Sequence, residues 1–216
     1  MLGSRFDAVL FDMDGTLLSS IGSVVRSWTR LAQEFGIPAE SFGDFHGIPA
    51  RALLDILMAE RPVAERERAF ARIVEIEVAD VGDIEVLPGA AAALAAVAES
   101  GAIVTSSTRR LALARLAASG LSAPEVVVFA EDVTRGKPDP DPYLLAAARL
   151  GVAPARCLVV EDSAAGVAAA RAAGAATVAL TTSEPGAIGA DLTVPDLSAL
   201  RFVVVPGGVV VEDARG

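Results

Sequence analysis

Five apolar runs of strand length recur along the chain, at residues 8–11, 102–104, 126–129, 158–160 and 177–180, with alanine-rich segments between them. The runs are continuous rather than alternating, as expected of strands covered on both faces. Helices are expected over residues 90–100, 110–119, 142–150 and 164–173, the first preceded by Pro88-Gly89. Gly101, Gly120, Gly151 and Gly174 stand where those helices should end, which predicts C-terminal glycine caps. Such strand–helix alternation restricts the fold to the α/β class with a doubly wound parallel sheet. Ligands of these sheets bind beyond the carboxyl ends of the strands.

Residues 20–85 break the rhythm. No clear strand is expected there, and three helices are read over 21–35, closed by Gly36 and Pro38, and over 49–60 and 62–80. The charges of the third (Glu65, Arg66, Glu67, Arg68, Arg72, Glu75, Glu77 and Asp80) read as a solvated face. Trp28 and Phe35 fall at helical spacing and are expected to pack inside this block. The division that follows is a core of residues 1–19 and 86–216, with an all-helical lid or cap at 20–85. At the other end, residues 202–205, Pro206-Gly207-Gly208 and residues 209–211 predict a β-hairpin. It is read as an extension of the sheet, with a dimer edge as the alternative; the chain itself is expected to be a monomer.

Composition narrows the function. The net charge of -10 repels nucleic acid, and no basic stripe with interleaved aromatics offsets it. No apolar stretch is long and uninterrupted enough to span a bilayer, and no signal peptide is recognised, so a cytoplasmic protein is expected. The single cysteine, Cys157, excludes an internal disulfide and reads as a small buried hydrophobe.

Chemistry enters through four polar clusters, each following an apolar run: Asp12-Met13-Asp14-Gly15-Thr16, Thr105-Ser106-Ser107, Gly136-Lys137-Pro138 and Glu161-Asp162-Ser163. Two carboxylates one residue apart at a strand end are costly unless a cation lies between them. The candidate ligands are all hard oxygens, which makes Mg²⁺ the expected ion. Asp12 is ionised at neutral pH and can act as a nucleophile with no base to activate it. Asp14 is close enough to serve as general acid and then base. Lys137 supplies an ammonium that can neutralise the nucleophile and negative charge that develops beside it. Ser106 can donate its hydroxyl to a bound anion, with Thr105 as the alternative for that hydroxyl. Ser107 is a further candidate contact for that anion, Ser107 and Thr108 otherwise read as caps of the next helix, and Ser163 or Asp162 can cap the helix that follows the last cluster.

Asp12-Met13-Asp14-Gly15-Thr16-Leu17, with the later Gly-Lys-Pro and Glu-Asp-Ser, resembles the signature of the haloacid dehalogenase-like hydrolase superfamily. All four motifs occur in order, so the resemblance covers nearly the whole chain. It implies a Rossmann-like core with an inserted helical cap, and an aspartyl-phosphate formed on Asp12. Magnesium would be held by the Asp12 carboxylate, the Asp14 carbonyl and Asp162, with Glu161 a ligand or a partner of the ligands. Asp14 argues against the dehalogenases of the superfamily, which do not need a leaving-group acid. Leu17-Leu18-Ser19-Ser20 resembles the sugar- and glycerol-phosphate phosphatases. Phe45-His46-Gly47-Ile48-Pro49-Ala50-Arg51 resembles the cap loop of the sugar-phosphatase and β-phosphoglucomutase-like branch. That likeness implies substrate contacts from His46, Gly47 and Arg51; Arg109 and Arg110 follow the second cluster, and Arg109, with Arg110 as the alternative, is a further candidate for a distal group. The implied activity is a phosphatase acting on a small sugar or polyol phosphate. The alternatives are a β-phosphoglucomutase-like mutase and a catalytically silent binding protein.

Overall fold

The computed structural model describes residues 1–38, 41–42, 49–183 and 188–215. In chain order the elements begin with β1 (Arg5–Phe6), β2 (Ala8–Phe11) and β3 (Leu18–Ser19). Three helices follow, α1 (Ile21–Phe35), α2 (Ala50–Leu57) and α3 (Val63–Ala79), and then the short β4 (Glu85–Val86). The alternating region comprises α4 (Ala90–Ala96), β5 (Gly101–Val104), α5 (Arg109–Ser119), β6 (Val126–Val128), α6 (Asp141–Leu150), β7 (Cys157–Glu161), α7 (Ala164–Ala172) and β8 (Ala176–Leu180). The chain finishes with β9 (Leu192–Val194), β10 (Leu200–Val205) and β11 (Gly208–Asp213).

Six strands form one parallel sheet in the order β6-β5-β2-β7-β8-β9. β2, β5 and β7 lie side by side and are buried along their whole length, which explains their unbroken apolar runs. Alternate residues of β2 feed opposite layers. Val9 and Phe11 join Leu94, Val97, Ile103 and Val178 on one face; Ala8 and Leu10 join Ala102, Val104, Tyr143 and Ala170 on the other. Small alanines on α6 and α7 let those helices lie close to the sheet.

Four features differ from the sequence reading. Gly101 does not cap a helix: it starts β5, and a Cβ there would lie 2.8 Å from the Val97 carbonyl oxygen. Gly120, Gly151 and Gly174 do take the left-handed conformation at their helix ends. The C-terminal hairpin does not extend the main sheet: β10 and β11 pair with β1 as a separate antiparallel sheet that packs over α4. Phe202, Val209 and Val211 thereby join the core beneath it. β9 was not expected, because Leu192–Val194 is too short and too exposed to leave an apolar run. Glu85–Val86 forms a strand where none was read, pairing with Leu18–Ser19.

That two-stranded ribbon joins the chain segments that leave for and return from the helical insertion. The cap has its own core of Leu31, Ala32, Ile37, Leu54, Met58, Ala69, Ile73 and Ile76, against which Trp28 and Phe35 pack. Most of the charges on α3 are solvated and paired locally, as in Arg61–Glu65 and Arg66–Asp55. Glu77 is the exception and is almost fully buried. Among the described residues no helix is long and apolar enough to cross a membrane. Cys157 is buried at the start of β7.

Candidate active site

The polar clusters after β2, β5 and β7 meet because those strands are adjacent and parallel, so their carboxyl ends open on one edge. Lys137 arrives from the loop before α6. Its Nζ donates to Asp12 Oδ1 at 2.6 Å, to Glu161 Oε1 at 2.6 Å and to the Val104 carbonyl at 2.9 Å. The ammonium has three donors and all three are engaged. Carboxylate oxygens of Asp12, Glu161 and Asp162 lie within 4.8 Å of one another, all three residues buried.

Glu161 is held by five donors. Oε1 accepts from Lys137 and from the Tyr143 hydroxyl at 2.8 Å, and Oε2 accepts from the Asp162 and Ser163 amides and the Ser163 hydroxyl. This density of donors is possible because Gly166, in the first turn of α7, has no side chain: a Cβ there would sit 1.7 Å from Glu161 Oε1. The Gly166→Ala variant should therefore displace Glu161, lowering stability by about 1–3 kcal/mol, as overpacking does. Thermal melts beside an assay will check this: both signals should fall together.

The same close approach governs Gly15. Its φ of 88° is left-handed, and a Cβ would come within 1.9 Å of Asp162 Oδ2. Thr16 Oγ1 donates to the other oxygen of Asp162 at 3.3 Å. Thus the turn after β2 is shaped around the acidic residue after β7. Ser163 caps α7 by accepting from the Gly166 amide, and Thr108 caps α5 through the Leu111 amide.

The charges of the cluster do not balance. Three carboxylates against one ammonium leave two negative charges uncompensated. Burial pushes Asp12 well above the usual carboxylate range despite Lys137, and burial followed by the charge of Glu161 pushes Asp162 up to about 7. Burial alone would raise Glu161 too, but Lys137, Tyr143 and the backbone donors outweigh it and hold Glu161 below the usual value. Two unneutralised negative charges on hard oxygens fit one divalent cation. Glu161 has both oxygens bonded, whereas Asp12 and Asp162 each present an oxygen with fewer protein donors.

Asp14 points to a different set of partners. Oδ1 accepts from the Ser20 hydroxyl at 2.8 Å and is ion-paired with Arg115 at 2.9 Å, and Oδ2 accepts from the Ser107 hydroxyl at 3.0 Å. Ser107 is thereby brought to Asp14. Thr105 is buried at the end of β5, and its Oγ1 accepts from the Ser107 amide at 3.0 Å. Its hydroxyl proton stays available to an incoming group. Ser106 is half-buried on the wall of the cleft.

This cleft, about 1320 Å³ in volume, lies between core and cap. Its cap side is largely apolar, with Ile21, Val24, Trp28 and Leu53. Arg51 also lines it, stacked over Phe70 at 4.0 Å and ion-paired with Glu67. Arg109 is not brought to the cleft: it pairs with Asp132 at 2.9 Å and covers the Phe129 ring. His46 and Gly47 lie outside the described residues.

Sequence reasoning missed Arg115, Glu77, Ser20 and Tyr143. Two of them carried a signal. Glu77 shares a helix face with Ala69, Ile73 and Ile76, and Arg115 shares one with Leu111, Ala112 and Leu116. A charge within an apolar stripe is the mark of a buried partner.

The chain is similar to known proteins along most of its length. A family model described as a haloacid dehalogenase-like hydrolase matches residues 6–174. The chain is 40% identical over 213 residues to hexitol phosphatase A of Escherichia coli, covering 96% of this chain and 99% of that protein. It is 36% identical over 178 residues to a phosphorylated carbohydrates phosphatase of Thermotoga maritima, covering 78% and 82%. Among solved structures, a hydrolase from Pseudomonas syringae superposes with a TM-score of 0.78 at 27% identity, over 88% of this chain and 94% of that one.

Proposed function

We propose that this chain, which belongs to the haloacid dehalogenase-like hydrolase family, is a magnesium-dependent phosphatase hydrolysing a small sugar or polyol phosphate through an aspartyl-phosphate. The observation that carries the reading is Lys137 Nζ lying 2.6 Å from both Asp12 and Glu161, inside a buried three-carboxylate cluster at the floor of the cleft. The substrate class is supported by the near full-length similarity to a hexitol phosphatase.

Asp12 and Asp162, with the Asp14 carbonyl, would hold the ion. When bound, a divalent cation screens the phosphoryl oxygens from the carboxylate that attacks them. Asp12 attacks phosphorus; its O–P bond forms as the ester P–O bond breaks, and the departing alkoxide takes a proton from Asp14. Asp14 then removes a proton from water, which attacks phosphorus, frees Asp12 and yields inorganic phosphate. Lys137 fixes the attacking carboxylate and offsets charge at phosphorus; Glu161 and Tyr143 fix Lys137. Thr105 is the better donor to a phosphate oxygen: it follows the carbonyl that Lys137 grips, and its Oγ1 is oriented by accepting from the Ser107 amide, which leaves its proton to donate. Ser106 would assist from the cleft wall.

Phosphate release from a panel of phosphorylated sugars and polyols, with and without magnesium, tests this. Metal-dependent hydrolysis of at least one hexose or hexitol phosphate is the expected result; inactivity across the panel and on aryl phosphates would refute it. Arg51 lines the cap side of the cleft, so Arg51→Ala should raise KM for the natural substrate about tenfold, the loss of one charged contact. Hydrolysis of 4-nitrophenyl phosphate should change little, and equal losses would remove Arg51 from substrate reading.

A further inference from the structure

Arg115 is a core residue on α5, buried at 3% exposure, and it bridges three groups. Nη1 lies 2.9 Å from Asp14 Oδ1 and 3.2 Å from Ser107 Oγ. Nη2 lies 3.1 Å from Oε1 of Glu77, a cap residue on α3 that is itself 4% exposed. The helices that carry them, α3 and α5, pack together.

Stability gives little reason for this arrangement. A buried ion pair is often no more stabilising than apolar residues of the same volume. Among the described residues the Arg115 Nε also has no hydrogen-bond partner, a further cost. Both charges stand on stripes that are otherwise apolar. What the arrangement does achieve is geometric: Asp14 Oδ1 is anchored by Arg115 and Ser20, while Oδ2 holds a single hydroxyl, that of Ser107.

We infer that Arg115 is a positioning residue for Asp14, and that Glu77 orients Arg115 so that docking of the cap helix and placement of the acid–base carboxylate are one event. The inference rests on the proposed two-step phosphatase chemistry. Cap and core would then be coupled through one guanidinium, with Nη1 serving the site and Nη2 serving the cap.

Leaving-group dependence separates this role from a merely structural one. Displacing a good leaving group needs no acid, whereas a more basic one does. Single-turnover phosphoryl transfer would be measured with 4-nitrophenyl phosphate and with phenyl phosphate, in magnesium. Arg115→Ala should slow transfer from phenyl phosphate by about tenfold or more, a small part of what general acid catalysis supplies. Transfer from 4-nitrophenyl phosphate should slow by less than about threefold on the same grounds. Should Arg115→Ala not fold, the Glu77 pair decides, because Arg115 there keeps Asp14 and Ser107 as partners. Glu77→Ala should reproduce the selective loss, and Glu77→Gln, which keeps an oxygen acceptor, should restore the wild-type pattern. Equal slowing of both esters would overturn the positioning role. A wild-type pattern in Glu77→Ala would overturn the link to the cap. A wild-type protein that transfers from neither ester and releases phosphate from no member of the sugar and polyol phosphate panel would overturn the phosphatase reading and this inference with it.

Discussion

Asp12→Asn is expected to abolish turnover while leaving the fold in place. An amide at this position cannot form the acyl phosphate, a mixed anhydride that water later opens, so both half-reactions fail. The loss should be roughly 10⁴-fold or more, the scale seen when a covalent nucleophile is removed. Stability should move the other way. Burial already pushes the Asp12 carboxyl well above its ordinary range, so the folded protein holds it charged only against a penalty. A neutral isostere removes one negative charge from a cluster that has two in excess, and Lys137 keeps Glu161 at 2.6 Å. In the absence of metal the melting temperature of the variant should equal or exceed that of the wild type. Mass spectrometry of quenched turnover should find a phosphoryl group on wild-type protein and none on the variant. Appreciable activity in Asp12→Asn would rule out the covalent route.

The parts of this molecule legible in its sequence are those set by local pattern. Continuous apolar runs marked β2, β5, β7 and β8 because those strands are covered on both faces, and strand adjacency then brought the polar clusters to one edge. The cap helices were legible from glycine and proline boundaries. What stayed hidden depends on partners distant in sequence. β1 is two residues long and exists because β11, about two hundred residues later, pairs with it. The hairpin's apolar face is buried against α4 and β2 rather than at the sheet edge, which alternation alone cannot specify. In the site, Asp12, Lys137, Glu161 and Asp162 were found by motif, but their hydrogen-bond roles were not. Glu161 and Asp162 are neighbours, yet five donors converge on one, and the other faces the turn around Gly15. Glu77 was read as solvated because its helix is rich in charge; its place on the apolar face, opposite Arg115, needed the packing of α3 on α5.

Lys137→Ala should be costly in both activity and stability. Without the ammonium, an anionic nucleophile must approach a phosphate with less compensation, and loss of one such electrostatic group costs about 10²–10³ in rate. In the fold, Asp12 and Glu161 are left as buried carboxylates with no cation between them. Breaking a buried pair by removing one partner costs about 3–5 kcal/mol. The pH dependence identifies the cause. Across pH 5 to 8 Lys137 stays charged, because Asp12 and Glu161 raise its pKa above the ordinary value in spite of burial. In the wild type, Glu161 has a lowered pKa and so contributes stability above its unfolded value, lost only as pH falls through the folded one. Asp12 is raised by burial in the wild type already, so its contribution declines with rising pH in both proteins; without Lys137, burial is expected to raise Glu161 as well, so the folded variant binds more protons than the unfolded chain and loses more stability as pH rises. The gap between the two proteins should therefore widen from pH 5 to pH 8 in denaturant titrations without metal. Added magnesium should narrow it at pH 8, since a divalent ion replaces part of the missing positive charge. A gap that neither pH nor magnesium alters would mean that Lys137 supports the fold through packing alone, and that charge balance is not what organises this site.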